Sequence, residues 1–221
     1  MPVAEDTATT HDQETLYWYH DPSCRQTRLP RIFNPSKAES PDMQVLETVP
    51  IGQRLVVSGT DDWATVGHAI HAAMALAFTD MPKAVAVEDV GSILEGYQLS
   101  TKVSGSALAD QVRAVVQWVR SRWPSASALP EWPIEATLGN GQVLNGRIDL
   151  LLDLGDHWIL LDHKSNPGAK ADWPELANTH GGQMLAYQAA IEAATGKPVT
   201  ETWLVLPVSA GAIRIEKALP A

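Results

Sequence analysis

The sequence has a single cysteine, Cys24, among its 221 residues. One cysteine cannot form an internal disulfide, and it cannot supply the four thiolates of a zinc or iron–sulfur site within one chain. A bound metal would therefore rely on oxygen and imidazole ligands. We expect no iron–sulfur cluster in this protein.

Long apolar runs and nucleotide-binding loops are absent as well. No run of about 18 apolar residues occurs, so we expect no membrane span. Residues 1–6 lack the basic and then apolar order of a signal peptide, and we expect a cytoplasmic protein. The chain also lacks a Gly-x-x-x-x-Gly-Lys-Ser/Thr phosphate loop. It therefore has no ATP site of that kind and cannot itself be an ATP-driven motor.

Positive charge is scarce, since 16 Lys and Arg stand against 26 Asp and Glu, for a formal net charge of -10. Neutralisation of phosphates by basic groups supplies most of the affinity of proteins that bind nucleic acid. An acidic chain can still hold a local basic groove, but its unaided binding should be weak. If nucleic acid is the substrate, we expect another protein to deliver it.

The apolar pattern predicts one domain of helices and strands. We expect residues 1–33 to form a flexible or irregular extension and residues 34–221 to form the domain. The periodicity predicts helices over 64–78, with an N-cap at Asp61-Asp62, over 105–123 and over 181–194, and strands over 132–138, 142–153, 158–164, 202–207 and 212–216. The first three strands form an antiparallel meander. The expected fold is α/β, a mixed central sheet of this meander and a further strand, flanked by helices.

Two of these strands carry isolated acids within apolar runs. Side chains alternate between the faces of a strand, so Asp162 and Lys164 share one face of the third strand. The turn between the second and third strands centres near Gly155, which places Asp149 opposite residues 161–162. We therefore expect two carboxylates and one ammonium to converge at the solvated rim of a sheet.

Two close carboxylates repel each other, and a divalent cation between them relieves the repulsion. Oxygen ligands favour Mg²⁺ or Mn²⁺ over zinc. Such a cation polarises a phosphate oxygen and makes hydroxide from bound water, while Lys164 orients the water or offsets the phosphate charge. The alternative is that Asp149 and Asp162 only end strands and pair with Arg147 or Lys164.

Four motifs in this order carry a family resemblance. The segments Gly146-Arg147-Ile148-Asp149-Leu150, Leu161-Asp162-His163-Lys164-Ser165 and Gln183-Met184-Leu185-Ala186-Tyr187 resemble the PD-(D/E)XK nuclease domain of the bacterial AddA and RecB helicase–nucleases. Gly67 to His71 resembles the Gly-x-x-x-His helix motif of that family. The resemblance covers roughly residues 34–216 and implies a restriction-endonuclease-like core.

The resemblance also implies roles for single residues. Asp149, Asp162 and Lys164 match the catalytic residues, and the metal shell would comprise His71, Asp149, Asp162 and the backbone carbonyl of His163. Gln183 and Tyr187, one helical turn apart, match a motif beside the DNA strand, although Tyr187 could equally be a core aromatic. Glu135 matches an accessory acid on the first strand. His68 lies outside the motif, and we expect it to be a satisfied core histidine.

The activity implied is magnesium-dependent hydrolysis of single-stranded DNA, as an exonuclease, in the repair of double-strand breaks by recombination. The implied partners are a UvrD-like helicase motor, on the same polypeptide or as a separate subunit, and an AddB-like subunit. We favour a domain excised from such a helicase–nuclease over a free-standing relative. The alternative function is a non-catalytic module of the same fold that binds DNA ends or docks onto a helicase.

Overall fold

The computed structural model of the protein describes residues 31–79 and 85–218. Residues 1–30 of the predicted extension therefore lie outside the described residues. The strands are β1 (Ile32–Phe33), β2 (Met43–Pro50), β3 (Ser127–Thr137), β4 (Val143–Asp153), β5 (Trp158–His163), β6 (Val199–Leu206) and β7 (Gly211–Lys217). The α-helices are α1 (Trp63–Thr79), α2 (Val87–Gly96), α3 (Gly105–Arg122) and α4 (Trp173–Thr195).

These strands form one mixed sheet in the order β1-β4-β5-β6-β7-β2, with β3 paired to the other edge of β4. β3, β4 and β5 are antiparallel neighbours, which confirms the predicted meander. β5 and β6 run parallel, so the chain crosses the sheet through α4 between them. β7 returns antiparallel beside β6, and β2 pairs with β7.

One edge of β4 opens within the sheet. β1 pairs with the start of β4, where Ile32 lies opposite Val143, and β5 pairs with its end, where Leu150 lies opposite Leu161. Among the described residues, positions 145–149 of β4 have no paired strand on that edge. Asp149 is the last residue of this opening, directly before the pairing with β5 begins.

Helices cover both faces of the sheet. The face covered by α1, α2 and α3 is here called the upper face, and the face covered by α4 the lower face. The upper core includes Leu150, Leu152, Leu161, Trp203 and Val205. The lower core includes Leu144, Ile148, Leu151, Leu160, Met184 and Leu204. None of the described helices has the length and apolar character needed to cross a membrane.

Two predicted helix ends are confirmed by their hydrogen bonds. Asp62 caps α1, because its carboxylate accepts from the backbone N–H of Thr65 at 3.0 Å. Gly196 follows α4 in the left-handed conformation, with a φ of 68°, where glycine is favoured because it has no Cβ.

The start of α4 was predicted wrongly, since the helix begins at Trp173 and not at Gly181. Gly181 and Gly182 suggest a helix start in the sequence, but the structure places them in its interior. A Cβ at Gly182 would lie 2.6 Å from the carbonyl oxygens of Ala38 and Glu39. These glycines therefore serve the close approach of α4 to the segment before β2.

β3 also begins earlier than predicted, at Ser127, although Pro130 and Pro133 lie within it. Among the described strands β3 pairs only with β4, and an edge strand tolerates proline because one row of its N–H groups is unpaired.

β1 corrects the expectation of an irregular chain up to residue 33. Its pairing is continued by the N–H of Val143, which donates to the carbonyl of Arg31 at 2.8 Å.

β2 and α2 were not predicted at all. β2 is stabilised by pairing with β7, which lies far along the chain, and this contact leaves no local signal. In α2 the buried residues are Val90 and Leu94, so its apolar periodicity is short.

The packing of Gly182 gives a testable prediction. We expect Gly182→Ala to lower the free energy of unfolding by about 1–3 kcal/mol, because the new methyl group meets backbone that cannot rotate away. Gly91→Ala is the matched control, a helix-interior change with open space around it, and should raise stability by up to about 1 kcal/mol. Urea unfolding of both variants measures this, and equal effects would contradict the packing.

Candidate metal centre

Asp149 lies where β4 meets the end of β5. Its Oδ2 accepts a hydrogen bond from the backbone N–H of His163 at 2.6 Å. The paired residues end at Leu150 and Leu161, and this register extended by one residue places Asp149 across from Asp162, as predicted from the turn. The predicted solvated rim is wrong, because the Asp149 side chain is only 12% exposed. The cause is that α1 covers it.

The alternation of side chains in β4 breaks at Asp149. Leu150 belongs to the upper core, and regular alternation would place Ile148 there too, yet Ile148 lies in the lower core. On the neighbouring strand Glu131 faces this position and has a φ of 52°, which is uncommon for a residue with a Cβ. The backbone is therefore distorted on both strands beside Asp149.

His71 of α1 reaches this point from the upper face. Its Nδ1 lies 3.3 Å from Oδ1 of Asp149, and its Nε2 donates to the carbonyl of His163 at 2.9 Å. Burial by itself lowers the pKa of His71, but the hydrogen bond and the charge of Asp149 raise it above the usual value. Both ring nitrogens face acceptors, which favours the imidazolium. Burial raises the pKa of Asp149, but the hydrogen bonds and charges of His71 and His163 outweigh it. The pKa of Asp149 therefore lies below its usual value.

The glycine of the helix motif explains how α1 comes so close. A Cβ at Gly67 would lie 2.8 Å from Oγ of Ser165, just after β5, so a larger residue here would force the serine hydroxyl or the helix to move. The same helix corrects the expectation for His68. His68 is exposed, and the histidine of the motif, His71, is the one that turns toward the sheet.

Asp162 and Lys164 form an ion pair on the lower face, with 2.8 Å between Oδ2 and Nζ. Burial, and then the charge of Asp149, raise the pKa of Asp162 to about 6, although Lys164 opposes the shift. Burial lowers the pKa of Lys164, but the charge and hydrogen bond of Asp162 outweigh it and raise that pKa. The ammonium of Lys164 also donates to Oε1 of Gln183 at 3.1 Å.

Tyr187 is 4% exposed and belongs to the lower core. Its hydroxyl donates to the carbonyl of Arg147 at 3.1 Å, on the open edge of β4. A Cβ at Gly146 would lie 2.7 Å from the Tyr187 ring, so the glycine before Arg147 makes room for the aromatic. In this structure Tyr187 holds β4 in place, and a contact of Tyr187 with DNA stays a prediction.

Two histidines near the site were not singled out as side chains by the sequence analysis. The ring of His163 is buried, and burial lowers its pKa to about 4. Its Nδ1 lies 3.9 Å from Oδ2 of Asp149. His180 lies one helical turn before Gln183, and burial and then Lys164 lower its pKa to about 4. The spacing from Gln183 was the signal that could have identified His180.

Glu135 remains apart from these contacts. Glu135 is a residue of β3 and lies opposite Asn145 of β4. Its side chain is exposed, and it makes no hydrogen bond or ion pair with the described residues. Its accessory role stays a prediction.

The donor set fits a divalent cation. A ring nitrogen of His71, a carboxylate oxygen of Asp149 and a ring nitrogen of His163 lie within 4.8 Å of one another. Two ligands at right angles around a magnesium ion are about 3 Å apart, given metal–oxygen bonds of about 2.1 Å. The separation of 2.9 Å between Nε2 of His71 and the His163 carbonyl matches this spacing. Asp162, whose charge also acts on His71, adds a second carboxylate nearby.

The raised pKa of Asp162 predicts how stability depends on pH. Between the ordinary value of 3.8 and about 6, the folded protein binds more protons at this carboxyl than the unfolded protein. Stability is therefore lost as the pH rises through this range, by up to about 3 kcal/mol from this group. Urea unfolding without divalent cations should show this fall in the wild type and a smaller one in Asp162→Asn, which cannot titrate there. The same pH slope in both proteins would contradict the shift.

Comparison with known proteins agrees with this geometry. The family model of the PD-(D/E)XK nuclease superfamily matches residues 52–220. Over 68 residues the chain is 35% identical to an ATP-dependent helicase/nuclease of the AddA type from Pelotomaculum thermopropionicum, a match that covers 31% of this chain and only 5% of that relative. The mixed sheet between helices agrees with the restriction-endonuclease-like fold. Because the family match spans most of its length, the chain belongs to the PD-(D/E)XK nuclease superfamily.

Proposed function

We propose that this nuclease domain hydrolyses phosphodiester bonds in single-stranded DNA, as an exonuclease, with Mg²⁺ or Mn²⁺ as its cofactor. The main support is the meeting of two groups of side chains where β4 opens. Asp149 contacts His71 and the backbone of His163, and Asp162 connects through Lys164 to Gln183. The ion pair of Asp162 with Lys164 also fits the alternative of a strand-end acid, but that alternative does not explain why His71 and the backbone of His163 converge on Asp149.

We assign the metal ion to His71, Asp149, Asp162 and the backbone carbonyl of His163. A divalent cation held by these residues would polarise the phosphate and lower the pKa of bound water. His71 must lose a proton before one of its nitrogens can bind, since both face acceptors. Asp162, with a pKa of about 6, must also be ionised, so binding weakens in mild acid.

Lys164 acts in this mechanism as a cation and donor, not as a base. Its raised pKa keeps the ammonium protonated at neutral pH. Two of its three N–H groups are directed at Asp162 and Gln183, which fix its position. The third is available to the attacking water or to a phosphate oxygen, whose negative charge it stabilises.

Gln183 extends the site along the lower face. Its Oε1 accepts from Lys164 and its side chain also hydrogen-bonds Tyr187, so one N–H of its amide can donate to the DNA strand. This contact is the substrate-binding role that we propose for Gln183.

The net charge of -10 favours a nuclease whose substrate is delivered. We propose that a UvrD-like helicase motor, on the same polypeptide or as a separate subunit, feeds single-stranded DNA to the site, together with an AddB-like subunit. The relative with a helicase/nuclease name supports this partner. The process would be repair of double-strand breaks by recombination in the cytoplasm.

Cleavage of labelled single-stranded DNA tests the function. In Mg²⁺ or Mn²⁺, we expect Asp149→Asn and Lys164→Met each to lower the cleavage rate by about 100-fold or more, because each removes charge that stabilises the transition state. Asp153→Asn and Lys197→Met are matched controls. They alter an ion pair of 3.8 Å at the far end of β4, and should cleave at the wild-type rate.

The same assay separates the alternative of a non-catalytic module. Such a module would bind the DNA without cutting it, and none of the four substitutions would change the products. If the wild type, Asp149→Asn and Lys164→Met all cut at equal rates, the active centre lies elsewhere.

A further inference from the structure

Trp132 is unlike the other described tryptophans. It is 45% exposed, while Trp63 and Trp118 are half-buried and Trp123, Trp158, Trp173 and Trp203 are each at most 8% exposed. Within the described residues its ring makes no aromatic or cation–π contact and its indole N–H makes no hydrogen bond. Exposure of so large an apolar ring is unfavourable unless something covers it.

Trp132 also lies beside the candidate centre. It pairs directly with Ile148, the residue before Asp149 on β4. Its own predecessor, Glu131, has the φ of 52° that accompanies the break in alternation. Backbone strain of this kind concentrates at functional sites.

The break decides which face of the sheet Trp132 occupies. Ala128 packs against the upper core, so regular alternation along β3 would place Trp132 on the upper face too. Beyond Glu131, Ile134 belongs to the lower core, as does Ile148 opposite Trp132. Trp132 therefore shares the lower face with Asp162 and Lys164.

Trp132 and Lys164 are close in strand order on this face. β3 and β5 are separated by β4 alone, so Trp132 lies on a strand about 10 Å from the strand that Lys164 directly follows. We propose that Trp132 is a stacking platform for a nucleobase of single-stranded DNA, next to the phosphate held at the metal centre. The inference rests on the proposed nuclease function, to which it adds a base-binding subsite.

A stacked base explains features that a core or surface role does not. Every nucleobase has a flat face, so an indole binds single strands without reading their sequence. Stacking also needs no positive charge, and it therefore offers affinity to a chain with an excess of acids. A base in a duplex already has stacked neighbours, so the platform favours single strands.

Abasic substrates provide the test. A single-stranded oligonucleotide is compared with a set in which one base at a time is missing, and kcat and KM are measured for each. For the wild type, we expect one abasic position beside the cut to raise KM by about 5-fold or more, with kcat little changed. In Trp132→Ala the intact oligonucleotide should already show the raised KM, and the missing base should add nothing. In Trp132→Phe, the missing base should still raise KM by most of the factor seen for the wild type.

Tyr97→Ala is the control, because Tyr97 is 38% exposed and follows α2, away from β3. It should behave as the wild type. If Trp132→Ala keeps the full abasic penalty, or if no abasic position affects the wild type, the platform is wrong while the nuclease function stands. If the wild type does not cut at all, the proposed function fails, and fluorescence anisotropy of the same labelled oligonucleotides then decides the platform by affinity alone.

Discussion

Leu150 of β4 lies opposite Leu161 of β5, and this one register determines which polar groups meet at the end of the sheet. It brings Asp149 beside Asp162 and the backbone of His163. Two buried carboxylates then repel each other, and their surroundings resolve the conflict unequally. Asp149 is kept ionised by His71, whereas burial and Asp149 raise the pKa of Asp162 to about 6. In the proposed metal site, a cation bound to both carboxylates would remove this repulsion.

Much of this arrangement could be predicted because its signals are local. The short turn at Gly155 and the alternation of apolar residues define the meander, and they place Asp149, Asp162 and Lys164 together. The glycines of the motifs could be recognised in the sequence, but the contacts that require glycine at these positions could not. Gly67 and Gly146 are needed because Ser165 and Tyr187 approach their α-carbons, and such contacts appear only in three dimensions.

The features that escaped prediction depend on partners distant in sequence or on irregular backbone. α4 continues through Gly181 and Gly182 because residues 38–40 pack against it. β2 has its partner in β7, far along the chain. The face of Trp132 follows from the distortion at Glu131, and a rule of strict alternation assigns it to the wrong side. For Tyr187 the sequence left a core role open, and its burial reflects packing that its motif does not specify.

The centre draws its groups from both helical layers. His71 arrives on α1 above the sheet, and Gln183 arrives on α4 below it. Local opening of either layer would separate these groups before the sheet itself came apart. Under the proposed assignment, a partly unfolded chain would therefore lack the complete centre. For a member of a nuclease superfamily, this dependence on two separate layers ties the candidate centre to the fully assembled fold.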